Sequence, residues 1–507
     1  MPRAEQLGRL GRVARGVFAD ARLTWRAQLR SATLLDQIRD TDQPVPAFTF
    51  SEGDVSRATD LVRLAELERS GRDRRENPGE LPVVAQTYAD LAARLTPGDP
   101  RRIELLALAA STWSLGGYQA NASALATEYL AEIDAETGAA PAGAEDPTEA
   151  APAAIALLTA AVLRRDVREV ARLGGLAGQA MPAIGQRLVA SDVQDSDEQE
   201  DETPDQVDAA DWSVLGAYGL AGEGARNVAR FWRTGDLAAG QRAIISFRRG
   251  AQLMLDALVV DTWALLDNLA HVVEDSVATS PWRMLRRAPT WNPVWERYLR
   301  SLAVSDRPII QVWPSQRQVL DAGLLSREAP NLTVTMPTSA GKTNIAEWAI
   351  VHALARRSGH DELPLAVYVV PTRALATEVE RHLTRTLSPV GIRVSALFGG
   401  SEHVLYEMRV IANTDVLVVT SEKFDLLLRN DPTVGERLAI VVADEGHLLG
   451  ERDRGLRLEM VLSRVRRHTR GARVLVLSAV LPNGDDIARW IDPTAQGKNL
   501  AEITWTP

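Results

Sequence analysis

Cysteine is absent from the 507 residues, so disulfides and thiolate metal sites are excluded. Histidine is scarce at seven copies, and none forms an H-E-x-x-H or similar ligand pair, so no structural metal is expected. A long apolar run is missing too. The longest, Ala151 to Leu163, is about half a membrane span, bounded by Glu149 and Arg164. The first residues, MPRAEQLGRLGRVARG, are polar and arginine-rich and lack the apolar core of a signal peptide. The expectation is a cytoplasmic protein with no membrane partner. Between Asp192 and Asp211 there are ten acidic residues and no basic one. Outside that stretch 57 acidic residues face 57 basic ones, so the net charge of −10 is local and a basic groove is permitted.

A chain of this length exceeds one hydrophobic core, which argues for two to four domains. Up to about residue 310 apolar residues recur at helical spacing. Leu105, Leu106, Ala109 and Ala110 are one example, and Ile155, Leu158, Ala161 and Val162 another. Gly116-Gly117 should break one pair of helices. The expected organisation is helical over 1–134, an Ala/Pro-rich linker over 135–153, helical over 154–190, a disordered acidic loop over 191–211, and helical over 212–310. Both interruptions lack apolar content to pack. The eight tryptophans before residue 300 are expected in helix-packing cores rather than in a base-stacking platform.

From residue 311 to 507 the texture changes. Short apolar strands, Leu332–Met336, Ala366–Val370, Arg393–Phe398, Val416–Val419, Ala439–Ala443 and Arg473–Ser478, alternate with helical patterns. That alternation predicts an α/β domain, a mostly parallel sheet with helices on both faces. After the first strand comes Pro337-Thr338-Ser339-Ala340-Gly341-Lys342-Thr343 and then a helix. Strand, small-residue loop and helix make a phosphate cradle, with backbone amides and the helix N-terminus facing the anion. Lys342 would reach the β- and γ-phosphates of ATP, and the Thr343 hydroxyl would bind Mg²⁺. The general loop pattern wants glycine where Met336 stands. The strand Ala439–Ala443 ends in Asp444-Glu445-Gly446-His447. There Asp444 would hold the Mg²⁺ and Glu445 would orient and deprotonate the attacking water.

These motifs, with Pro371–Ala376 (PTRALA), Thr420–Lys423 (TSEK) and Ser478–Asn483 (SAVLPN), resemble the superfamily 2 DExH/DEAD-type helicases, Ski-like branch. The resemblance covers about residues 311–507, a single RecA-like lobe with a P-loop. It implies that Gln316 reads the adenine edge. Pro371, Thr372, Arg373, Gly399, Gly400, Thr420, Ser421 and Lys423 would touch a DNA or RNA backbone. His447, Ser478 and Ala479 would couple hydrolysis to movement. Where the family has Ser-Ala-Thr, this chain has Ser478-Ala479-Val480, which removes one hydroxyl from the coupling motif. The strand Ala501–Trp505 stands where the interlobe linker would begin. The expectation is therefore that a second RecA-like lobe, in a longer chain or a partner subunit, is needed for activity.

The resulting reading is an ATP-dependent helicase or translocase portion, with repair and antiviral defence both open as contexts. Its rivals are an ATP-gated nucleic-acid sensor or scaffold, suggested by Val480, and a nucleotide-binding interaction subunit whose helical region is the working part. Strand displacement separates both from the helicase reading.

Overall fold

The computed structural model describes residues 81–96, 99–137, 147–177, 209–305, 308–328, 330–338, 340–356, 363–398, 404–449, 451, 454–469, 471–495 and 499–503. The chain divides into two compact units, Met1–Ala278 and Thr279–Pro507. Residues 1–80 and the acidic stretch up to residue 208 lie outside the described residues.

Every regular element described in the first unit is a helix: α1 (Leu81–Ala92), α2 (Pro100–Leu115), α3 (Gln119–Thr137), α4 (Pro147–Leu163), α5 (167–177), α6 (Ala209–Thr234), α7 (Leu237–Asp256) and α8 (Val260–Ala278). Local chemistry sets several ends. The Asp99 carboxylate accepts the Arg101 amide at the start of α2, and Asp236 accepts the Ala239 amide at the start of α7. The Gly116-Gly117 pair separates α2 from α3, as the sequence suggests. The linker expected over 135–153 is shorter, because α3 reaches Thr137 and α4 starts at Pro147. Alanine is the best helix former, and proline is tolerated in a first turn, so the Ala-rich flanks extend the neighbouring helices. Trp232 is fully buried, and its indole N–H donates to the Ser276 hydroxyl at 3.0 Å, so this tryptophan belongs to a helix core.

The second unit opens with helices, α9 (Pro281–Met284) and α10 (Pro293–Ala303), before the change of texture at 311. Asn292 caps α10 by accepting the amides of Val294 and Trp295. Trp295, Tyr298 and Leu299 then enter the same core as Leu332 and Val334 of the first strand. These helices share the helical texture of the preceding region, so the pattern alone assigns them to it, whereas packing assigns them to the α/β unit. The sequence then forms α11 (Pro314–Asp321), β1 (Leu332–Thr335), α12 (Lys342–Arg356), β2 (Leu365–Val370), α13 (Arg373–Leu387), β3 (Val394–Leu397), α14 (Val404–Ala412), β4 (Val416–Thr420), α15 (Ser421–Asn430), α16 (Pro432–Arg437), β5 (Leu438–Ala443), α17 (Arg454–His468), β6 (Arg473–Ser478), α18 (Gly484–Ile491) and β7 (Leu500–Glu502).

The seven strands pair in parallel in the order β3-β4-β2-β5-β6-β1-β7. Alternation along each strand divides the apolar residues between two cores. Ala366, Tyr368 and Val370 face the core shared with α12 and α13, while Leu365, Val367 and Val369 face the core shared with α15 and α17. A parallel sheet buried on both faces is the α/β class expected, and it brings the strand ends carrying the motifs to one edge.

Candidate nucleotide and nucleic-acid sites

The phosphate loop lies between β1 and α12. Met336 occupies the place where the general pattern has glycine, and the structure shows why a side chain fits there. The residue still runs beside β6, its amide donating to the Ser478 carbonyl at 3.0 Å and its side chain buried. The turn comes later, at Gly341, which has φ +90. That conformation calls for glycine, and a Cβ there would stand 2.3 Å from Gln316 Nε2 and displace that amide. The amides of Asn344 and Ile345 go to the Gly341 carbonyl. Lys342 opens the helix, and the amides of a helix's first turn are orphan donors that suit an anion. Thr338 is exposed and Ala340 buried, while Ser339 lies outside the described residues.

Gln316, the residue expected to read the adenine edge, packs beside the loop. It is buried, its Oε1 accepts the Trp313 amide at 3.0 Å, and its Nε2 faces Gly341. In this state the side chain braces the phosphate loop, and Ser315 adds a hydroxyl donation to the Ala340 carbonyl at 3.3 Å. Trp313, exposed beside it, is an aromatic that the motif reading did not single out.

Asp444 stands at the end of β5. Its Oδ1 accepts the Glu445 amide and its Oδ2 accepts the Tyr368 hydroxyl, both at 2.9 Å. Burial holds its carboxyl above the usual range, against the pull of those donors and of Lys342. Burial, reinforced by the Asp444 charge, holds the Tyr368 hydroxyl far above its ordinary value, so it remains a donor. A desolvated carboxylate two strands from a phosphate cradle suits a Mg²⁺ ion held by substrate phosphates and one or two protein oxygens. Thr343 and Asp444 fit that donor set. Among the described residues no cluster of three or more acidic or histidine side chains could hold a metal alone.

Glu445 adopts φ +53, rare for a residue with a side chain, in the turn leaving β5. Gly446 makes this turn possible, since a Cβ there would come within 2.4 Å of Val476 Cγ1 on β6. The His447 ring reaches back, Nδ1 lying 3.2 Å from Glu445 Oε2. Its backbone amide, not its ring, makes the link to the coupling motif, donating to Ser478 Oγ at 3.2 Å. Ser478 Oγ in turn donates to the Val480 carbonyl at 2.7 Å, and Ala479 is half-buried. The Val480 side chain is 65% exposed. The bond between acidic motif and coupling motif therefore depends on Ser478, and the missing hydroxyl at 480 leaves it intact.

Further along the same strand edge, a cleft of about 490 Å³ is lined by Pro371, Thr372 and Arg373 on one side and Thr420, Glu422, Lys423 and Arg457 on the other. Thr372 caps α13 by accepting the Leu375 amide, and Thr420 caps α15 by accepting the Lys423 amide. Two helix N-termini thus open into one cleft. Ser421 is buried at the start of α15. Lys423 lines the cleft with its ammonium buried and paired with Glu407. The exposed cations are Arg373 and Arg457, the latter 2.9 Å from Glu422. Gly399 and Gly400 lie outside the described residues.

Behind both sites a buried network joins three helices. Glu347 on α12 is fully buried, takes the Tyr298 hydroxyl at 2.5 Å and lies 2.6 Å from His382 Nε2 on α13. The partners are distant in sequence, so no local signal announces them.

A DEAD/DEAH box helicase family model matches residues 313–487. The Hachiman protein HamB of Bacillus cereus is 30% identical over 247 residues, covering 48% of this chain and 21% of its own. The ATP-dependent DNA helicase Hel308 of Thermococcus kodakarensis is 37% identical over 216 residues, covering 42% and 17%. That of Pyrococcus horikoshii is 32% identical over 201 residues, covering 40% and 26%. Among solved structures, DUF1998 helicase MrfA bound to DNA aligns over 42% of this chain and 30% of its own, at 20% identity and a TM-score of 0.34. The chain spans about a sixth to a quarter of the length of these curated relatives.

Proposed function

We propose, from the premise that residues 313–487 are a superfamily 2 helicase segment, that this lobe is the ATP-binding first half of a nucleic-acid helicase or translocase motor. Asp444 carries this reading: a half-buried carboxylate that feels the Lys342 charge and is braced by Tyr368, next to Glu445. Lys342 and the first amides of α12 hold the triphosphate. Thr343 and Asp444 hold Mg²⁺, which when bound neutralises charge on the phosphate oxygens. Glu445 takes the proton of the attacking water, and His447 at its side steadies the carboxylate. The DNA or RNA backbone lies in the cleft at Thr372 and Thr420, where amides, hydroxyls and Arg373 bind phosphate without reading sequence.

In the family such a lobe works against a second one that supplies arginines to the transferring phosphoryl group, worth ~10³–10⁵ in rate. That second RecA-like lobe, in a longer chain or a partner subunit, is part of the proposal. The sensor or scaffold reading rests on Val480; the Ser478 link to the acidic motif favours the motor reading. The test is ATP turnover by the 507-residue chain with and without single-stranded DNA or RNA, then with a second lobe supplied. Strand-stimulated turnover that appears only with the second lobe is the expected result. Robust stimulated turnover or unwinding by this chain alone would contradict the two-lobe reading.

A further inference from the structure

The helical unit has a basic face whose charges the proposed activity leaves unused. On α6, Arg226, Arg230 and Arg233 recur at i, i+4 and i+7 and are all exposed. On α7 beside it, Arg242 and Arg249 are exposed as well. Arg242 Nε lies 3.3 Å from Asn227 Oδ1, which ties the two rows together. The acids within reach are few. Asp236 Oδ2 serves two guanidiniums at once, 3.0 Å from Arg230 and 3.6 Å from Arg242. Arg226 donates to a neutral acceptor, the Gly174 carbonyl, at 2.6 Å. Among the described residues, Arg226, Arg233 and Arg249 have no carboxylate in ion-pair range. On the other flank of α7, Arg248 is matched by Glu274 at 2.8 Å, so the same helix is compensated there and not here.

Like charges at i, i+3 and i, i+4 repel along a helix, and the chain as a whole carries net charge −10, so this face is not a background of basic composition. A polyanion relieves the repulsion, and guanidinium forks match phosphate oxygens in pairs. Arg226 to Arg233 spans about 10 Å along α6, enough for more than one phosphate. Exposed apolar surface on α7 between these arginines is limited to Ile245, and the exposed aromatic of α6, Trp212, lies 14 residues before Arg226, so the arginine stretch itself lacks the aromatic anchors of a protein interface. We propose that this face of the helical unit is a second, sequence-independent contact for the nucleic-acid phosphate backbone. The proposal rests on nucleic acid being the ligand of the lobe.

The test uses the full chain and a fluorescent single strand, with affinity measured by anisotropy across potassium chloride concentrations. The triple variant Arg226→Gln/Arg230→Gln/Arg233→Gln should flatten the slope of log K against log salt by about 2, roughly 0.7 per lost contact. It should weaken binding at least tenfold and leave Mg-nucleotide affinity unchanged. Arg233→Gln alone, at an exposed and unpaired position, guards against a folding defect and should flatten the slope by about 0.7. A wild-type slope in both folded variants, with the slope reduced by Arg373→Gln, overturns this face and leaves the cleft standing. No strand binding by the wild-type chain would overturn both.

Discussion

At the scale of single residues, Asp444 sits in a balance that one hydroxyl helps to set. Burial pushes its proton affinity up, and the Tyr368 hydroxyl opposes that by donating to Oδ2. A hydrogen bond to a charged group contributes about 1.5–3 kcal/mol. Tyr368→Phe should therefore lower Mg-nucleotide affinity roughly tenfold or more, because Oδ2 loses the donor that holds it in place. Magnesium titrations read this, and an unchanged affinity would show that the hydroxyl has no part. Glu445→Gln should keep nucleotide binding and lose ~10²–10⁴ of any turnover seen with a second lobe, since an amide cannot take a proton. A variant within a few-fold of wild type points to another base. His352 is wired neutral. Thr290 lies 2.7 Å from its Nδ1, and its Nε2 lies 3.2 Å from the Ser326 carbonyl, an arrangement that fits hydrogen on Nε2 only. Burial, with Arg473 close by, pushes it down to about 4 from 6.5. A lowered histidine gives stability that is complete above its unfolded value and is lost as pH falls from about 6.5 towards 4. Urea unfolding across that window should show a steeper acid loss for wild type than for His352→Gln; equal slopes would contradict the assignment.

At the scale of elements, the strand-to-helix junctions do two jobs. Thr372 and Thr420 end the capping of their own helices and form the cleft wall. Thr372→Ala should cost the lobe about 1 kcal/mol in urea unfolding, with Thr372→Asn recovering most of it, because asparagine caps equally well. If alanine and asparagine behave alike, the cap is not what the hydroxyl provides. The same junctions explain why this part was legible from sequence. Strands of four to six residues with near-continuous apolar runs, each leading into a polar turn, can hardly be read otherwise, and β1, β2, β4, β5 and β6 fall within a residue of expectation. The partners of motif residues were not legible. Lys423 meets Glu407 on α14, Glu347 meets Tyr298 and His382, and Asp444 meets Tyr368, all long-range pairs that only the folded sheet creates. The helices from Pro281 to Ala303 join the sheet's core for the same reason, since texture reports helix and not which core receives it.

At the scale of the molecule, the account holds that one acidic chain carries local machinery for polyanions: a phosphate cradle, a two-helix cleft and an arginine face. The cradle is the part on which the others depend, because a lobe that does not bind nucleotide cannot be half of a motor. Calorimetric titration of a Mg²⁺–ATP analogue into the wild-type chain and into Lys342→Ala tests it most directly. The account predicts one saturable site in the wild type and none detectable in Lys342→Ala, with both proteins melting at the same temperature. Equal affinity in a folded Lys342→Ala chain would contradict it.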